Sequence, residues 1–90
     1  MLQYEIKISG RVQGVGFRYF VNKKANELEI NGWVKNTRDG GVLVLAQGNK
    51  TNLETFIDYL RIGPSMSRVN QISKVEIKIV NVFSEFVVKY

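Results

Sequence analysis

Ser9-Gly10-Arg11-Val12-Gln13-Gly14-Val15-Gly16-Phe17-Arg18-Tyr19-Phe20 is the joint at which one periodicity gives way to another. Before it, Leu2, Tyr4, Ile6 and Ile8 alternate with Gln3, Glu5, Lys7 and Ser9, the two-residue period of a strand with one buried face. After it, Phe17, Phe20, Val21, Ala25 and Leu28 recur at helical spacing, with Asn22, Lys23, Lys24 and Asn26 on the other side. A helix ending near Leu28 is expected. Gly10, Gly14 and Gly16 let the joint turn tightly and present backbone N–H groups. A helix opening directly after such a loop adds the positive end of its dipole, and Arg18 adds a planar cation that stays charged at working pH. These features predict a cradle for a phosphate-sized anion. The competing reading is a glycine-rich connection that only turns the chain. Two nucleotide motifs are excluded: Tyr19 stands where a dinucleotide fingerprint needs a third small residue, and no Lys-Ser or Lys-Thr pair follows to complete a P-loop.

Further along, Ile30 to Lys35 reads as a second strand with Asn36 at its end, and Thr37-Arg38-Asp39-Gly40-Gly41 as a turn. Val42 to Ala46 is a third strand, closed by Gly48. Thr51 with Glu54 forms a possible capping box, Leu53, Phe56, Ile57 and Leu60 give a second helix its apolar face, and Gly63-Pro64 stops it. Ile72 to Ile79 alternates as a fourth strand after a polar connection from Ser65 to Arg68, and Phe86 to Val88 forms a short terminal one. Where the chain turns between Val80 and Glu85 is not legible. Two right-handed crossovers joined by a hairpin give an α+β, ferredoxin-like split βαβ sandwich. It is expected as an antiparallel four- to five-stranded sheet with two helices on one face. In that topology strands one and two run parallel on either side of strand three, so the glycine loop with Arg18 and the position of Asn36 emerge at the same edge. That convergence argues against a purely decorative loop.

Ninety residues make one domain, expected to span 1–90, since independent folding becomes difficult only below roughly 40 residues. The chain has no cysteine and no histidine, which removes disulfides, a thiolate nucleophile, the usual general base and the usual metal ligand. Absence of cysteine fits a reducing cytoplasm. With 13 Lys and Arg against 8 Asp and Glu, the formal charge of +5 favours anionic partners. No apolar run approaches the ~18 residues of a membrane span, and Glu5 and Lys7 interrupt any signal-peptide core.

Gly10-Arg11-Val12-Gln13-Gly14-Val15-Gly16-Phe17-Arg18, then Gly32-Trp33-Val34-Lys35-Asn36 and Asp39-Gly40, closely resemble the two signatures of the acylphosphatases. The resemblance covers essentially the full chain. It implies hydrolysis of the carboxyl-phosphate bond of acylphosphates on a ferredoxin-like fold, with no metal and no cofactor. Carried over by position, Arg18 matches the phosphate-binding arginine and Asn36 the asparagine that positions the attacking water. The N–H groups of Gln13, Gly14, Val15, Gly16, Phe17 and Arg18 match the backbone cradle. An acylphosphate substrate, inorganic phosphate as product, no membrane or nucleic-acid partner, a monomer and a cytoplasmic location are the expectations that follow. Glu29 departs from the family, which often has glycine there; if the position needs a positive φ, the cost is up to ~1–2 kcal/mol. Ser9 replaces a histidine seen in some members.

Arg11 and Lys35 read as solvated residues that raise the local potential. The carboxylate of Tyr90 is expected to reach the same edge and orient Arg18, if the terminal strand runs beside strand two. Trp33, Tyr4, Phe83 and Phe86 raise a base-stacking alternative, a non-catalytic anion- or RNA-binding module, but strand three lacks aromatic residues and any RNP signature. A domain like that at the start of carbamoyltransferase-type maturation proteins is disfavoured, because no zinc-finger segment follows.

Overall fold

The computed structural model describes residues 1–90, which form β1 (Leu2–Arg11), α1 (Phe17–Glu27), β2 (Asn31–Asn36), β3 (Val42–Gly48), α2 (Lys50–Ile62), β4 (Arg68–Glu76) and β5 (Phe86–Val88). Alternation in β1 turns Tyr4, Ile6 and Ile8 to one face, where they meet Val34, Val44 and Ala46 from the neighbouring strands. Phe17, Val21 and Ala25 of α1 and Leu53, Phe56 and Leu60 of α2 close over that face. Fully burying each large apolar side chain is worth ~1.5–3 kcal/mol, so this shared face is what holds the helices to the sheet.

The strands lie in the order β4-β1-β3-β2-β5. β3 pairs antiparallel with both β1 and β2, which therefore run parallel and release their following residues at one end of the sheet. This is the split βαβ arrangement of the ferredoxin-like α+β fold. One correction applies to the expected antiparallel sheet: β5 runs parallel to β2, so the five-stranded sheet is mixed. The cause is the connection from 77 to 85, which carries the chain from the β4 edge to the opposite edge instead of folding back as a hairpin.

Local boundaries shift for identifiable reasons. α1 closes with paired bonds from Ile30 N–H to the Ala25 carbonyl (2.8 Å) and from Glu29 N–H to the Asn26 carbonyl (3.5 Å). Such a closure puts the residue directly after the C-cap Leu28 in the left-handed region, and Glu29 is there at φ 55°, the single non-glycine residue with positive φ. The capping box at Thr51 and Glu54 does not form. Asn49, a stronger cap just upstream, accepts the Asn52 N–H at 2.8 Å and starts α2 at Lys50. β4 begins at Arg68 and ends at Glu76, earlier at both ends than its apolar alternation indicates, because the open edge of β1 pairs with it from Arg11↔Arg68 to Tyr4↔Glu76.

Candidate active site

The loop between β1 and α1 is pinned from beneath by Val12 and Phe17, both buried, while Gly14 and Gly16 stay at the surface. Gly14 (φ 73°) and Gly16 (φ 78°) occupy the left-handed region, and Gly16 is the residue from which α1 departs. Side chains are strained in that conformation, so glycine here shapes the loop. The outcome is a run of donors. None of the backbone N–H groups from Gln13 through Arg18 has an acceptor within the protein, whereas the next turn begins normally with Phe20 N–H on the Gly16 carbonyl at 3.1 Å. The first N–H groups of any helix lack intrahelical partners, and the glycine loop extends that set outward.

Arg18 and Asn36 line one hollow of ≈340 Å³ together with Gly14, Gly16 and Phe17. Of the residues expected at the site, these five share the hollow, while Gln13 and Val15 do not line it. Val15 packs against the core. The Gln13 side chain turns the other way, and its Nε2 donates to the carbonyls of Thr37 and Gly41, both at 2.8 Å. This ties the loop to the β2–β3 hairpin that begins beside Asn36, a role that nothing in the sequence signals.

The hairpin is internally braced. Thr37 N–H donates to the Gly41 carbonyl at 3.0 Å, and the Gly41 N–H reaches the Thr37 hydroxyl (3.1 Å) and the Asp39 carboxylate (3.2 Å). Thr37 Oγ1 also donates to Asp39 Oδ1. The Thr37 hydroxyl, then the Gly41 N–H, hold the Asp39 carboxyl below the usual aspartate value, because both stabilise its charged form.

Arg18 is held from the opposite side, by the end of the chain. Its Nη1 donates to the Lys89 carbonyl at 2.9 Å, and its guanidinium lies 4.5 Å from the centroid of the Tyr90 ring. The expected partner, the Tyr90 carboxylate, is not the contact: the single ion pair in the structure joins Lys24 and Glu27. β5 does run beside β2, so the right segment arrives, but the Lys89 carbonyl and the aromatic face meet the guanidinium instead of the terminal charge. The base-stacking candidates fare differently again. Tyr4 and Phe86 are 6% and 7% exposed, which leaves no ring face free, and Trp33 is flanked by Lys35 at 5.4 Å and Lys89 at 4.6 Å. Arg11 and Lys35 are exposed, as expected.

Backbone N–H groups without a protein acceptor, beside a hollow lined by Arg18 and Asn36 at one end of a split βαβ sheet, define a small α+β protein whose donor set suits an anion. The chain belongs to the acylphosphatase family, enzymes that hydrolyse acylphosphates: the model of that family matches residues 4–88. The acylphosphatase of Bacillus subtilis (strain 168) is 49% identical over 76 residues, 84% of each chain. A crystal structure of acylphosphatase from Bacillus subtilis is similar with a TM-score of 0.97 at 43% identity, covering 100% of both chains. HypF of T. kodakarensis contains a similar region: its crystal structure gives a TM-score of 0.89 at 37% identity over 99% of this chain but 12% of that one.

Proposed function

We propose that this protein cleaves the carboxyl-phosphate bond of a small acylphosphate by direct in-line attack of water. Backbone N–H groups of the Gln13–Arg18 loop and the Arg18 guanidinium hold the three non-bridging phosphoryl oxygens, where negative charge concentrates in the transition state. The Asn36 carboxamide orients a water on the far side of phosphorus from the leaving oxygen. A bond forms from water oxygen to phosphorus, the bond from phosphorus to the carboxyl oxygen breaks, and a phosphoryl oxygen takes the water proton. Carboxylate is a good leaving group, so charge stabilisation and alignment suffice without a strong base. A chain lacking histidine and cysteine is compatible with this chemistry. The observation that carries the reading is the unbroken run of N–H donors without a protein acceptor beside the hollow shared by Arg18 and Asn36.

We further infer a metal-independent, cytoplasmic monomer; no helix is long and apolar enough to cross a membrane. The test is release of phosphate from benzoyl phosphate by the parent, Arg18→Ala and Asn36→Ala proteins with chelator present. Parental turnover in either variant, or loss of turnover on chelation, refutes the assignment.

A further inference from the structure

Arg18 depends on the Lys89 carbonyl, so it depends on whatever fixes β5, and β5 is three residues long. It lies at the end of the connection that crosses the sheet from the β4 edge. Phe86, 7% exposed and edge-on to Phe56 at 6.4 Å, decides which face of β5 points inward. It does not by itself decide register. A two-residue slip keeps the same face inward and moves the Lys89 carbonyl by about 7 Å, well beyond hydrogen-bond reach of Arg18.

What counts the residues of the crossing is a row of amides on the sheet face opposite the helices. Asn31, Gln47 and Gln3 stand in register across β2, β3 and β1. Gln47 is 1% exposed; its Nε2 donates to Gln3 Oε1 (2.8 Å) and to the Asn81 carbonyl (2.6 Å), while its Oε1 accepts the Phe83 N–H at 3.0 Å. Gln3, 5% exposed, donates to the Lys78 carbonyl at 3.0 Å, and Asn31 to the Phe83 carbonyl at 3.1 Å. Every buried side-chain polar atom is thereby partnered. Buried amides at two adjacent positions beneath the crossing carry a stability risk if any partner is lost, which makes them poor fillers and good locks.

We propose that Gln47, with Gln3 and Asn31, is a positioning device for Arg18. The amide row fixes the crossing at Lys78, Asn81 and Phe83, the crossing delivers β5 in one register, and β5 presents the Lys89 carbonyl to the guanidinium. The row lies about 16 Å from the phosphate hollow, taking ~3.3 Å per residue from Asn31 to Asn36, and acts on it through β5 alone. The proposal rests on the phosphate-holding role given to Arg18 above. Its signature follows from population arithmetic. With β5 loose, the guanidinium is competent for only part of the time, so apparent phosphate affinity falls by that fraction, and bound phosphate then restores the competent arrangement. Asn36 is paired with Val42 of β3, and the hairpin that follows it is tied by Gln13 at Thr37 and Gly41, so it stays aligned.

The experiment is Gln47→Met, which keeps the length and removes the amide, in a protein shown to be folded by circular dichroism and thermal melting. Expected are a rise of about tenfold in KM for benzoyl phosphate and in the dissociation constant of inorganic phosphate measured by calorimetry, with kcat within about twofold of the parent. Hydrogen exchange at the Lys89 amide, which donates to the Val34 carbonyl at 2.8 Å, should accelerate without faster exchange in β1 or β3. Parental phosphate affinity in folded Gln47→Met overturns the proposal, as does an equal fall in kcat. Should that variant not fold, Asn31→Ala removes an outer, half-exposed bond and is expected to raise the phosphate dissociation constant about threefold; no change there overturns it equally. Calorimetry needs no turnover, so a parent that binds phosphate without hydrolysing benzoyl phosphate removes the proposed reaction and leaves this test standing.

Discussion

The two sides of the hollow shared by Arg18 and Asn36 are held in place by opposite means. On the Asn36 side, the tie is short and local: Gln13, just inside the loop, bonds two carbonyls of a tight hairpin whose own residues brace each other. On the Arg18 side, the tie runs from the last residues of the chain, delivered by a crossing that spans the whole sheet. A hairpin closes at little entropic cost, whereas a nine-residue crossing must be pinned along its length before its end is useful. The Asn36 side is thus held by local hairpin bonds, and the Arg18 side by long-range packing.

That contrast is breakable, and the largest effect is expected at Arg18 itself. Arg18→Ala should lower kcat/KM for benzoyl phosphate about 10³-fold or more, in the range seen for arginines that neutralise a transferring phosphoryl group. Arg18→Lys should lose most activity as well, because an ammonium cannot offer two parallel donors while keeping a contact over the Tyr90 ring. Next comes Asn36→Ala, expected to cost about 10²-fold in kcat with phosphate affinity nearly unchanged, since it misaligns the nucleophile and leaves the cradle intact. Single-turnover kinetics beside phosphate calorimetry separate these two.

Gln13→Leu sharpens the comparison from the other direction. Losing its two bonds should cost about tenfold in kcat, each lost bond contributing ~0.5–1.5 kcal/mol of restraint on the hairpin, and KM should move less. This is the mirror image of the split expected for the amide row. Equal effects on kcat and KM from both lesions would mean that the halves are not independent.

A smaller effect is expected from acid. Asp39 has its folded pKa depressed by Thr37 and Gly41, so its contribution to hairpin order is complete above the unfolded aspartate value and is lost as pH falls through the folded one. The Gly41 amide resonance should therefore report loosening only on the acid side of the ordinary aspartate range, and Asp39→Asn should abolish that pH dependence while the Lys89 amide shows none in either protein. Smallest for activity is Glu29→Gly, which relieves a left-handed glutamate remote from the hollow. It should raise Tm by about 4–8 °C per 1 kcal/mol gained, with turnover unaltered.

Much of this architecture could be read from residue order alone. Alternation in Leu2–Ser9, helical spacing from Phe17 to Leu28 and the turn at Thr37–Gly41 are signals carried by neighbouring residues, and they imply the split βαβ topology that brings Arg18 and Asn36 together. Glycine at 14 and 16 likewise announces a loop of exposed donors. Less was visible where a segment's conformation is set by a distant partner. The extent of β4 follows the open edge of β1, the start of α2 follows the better of two caps, and the stretch from Val80 to Glu85 has no periodicity because its bonds go to side chains of two other strands, Asn31 of β2 and Gln47 of β3.

By itself, then, the order of amino acids determined which segments become strands and helices, which face of each is buried, and which two polar residues meet at one end of the sheet. Tertiary structure alone decided that β5 runs parallel beside β2, that a carbonyl and an aromatic ring rather than a terminal carboxylate hold Arg18, and that Gln13, Gln47 and Gln3 serve as ties. The physical reason is range. Periodicity and turn chemistry are fixed within a few residues, while a buried amide has meaning only once strands far apart in sequence place its partners within hydrogen-bonding distance.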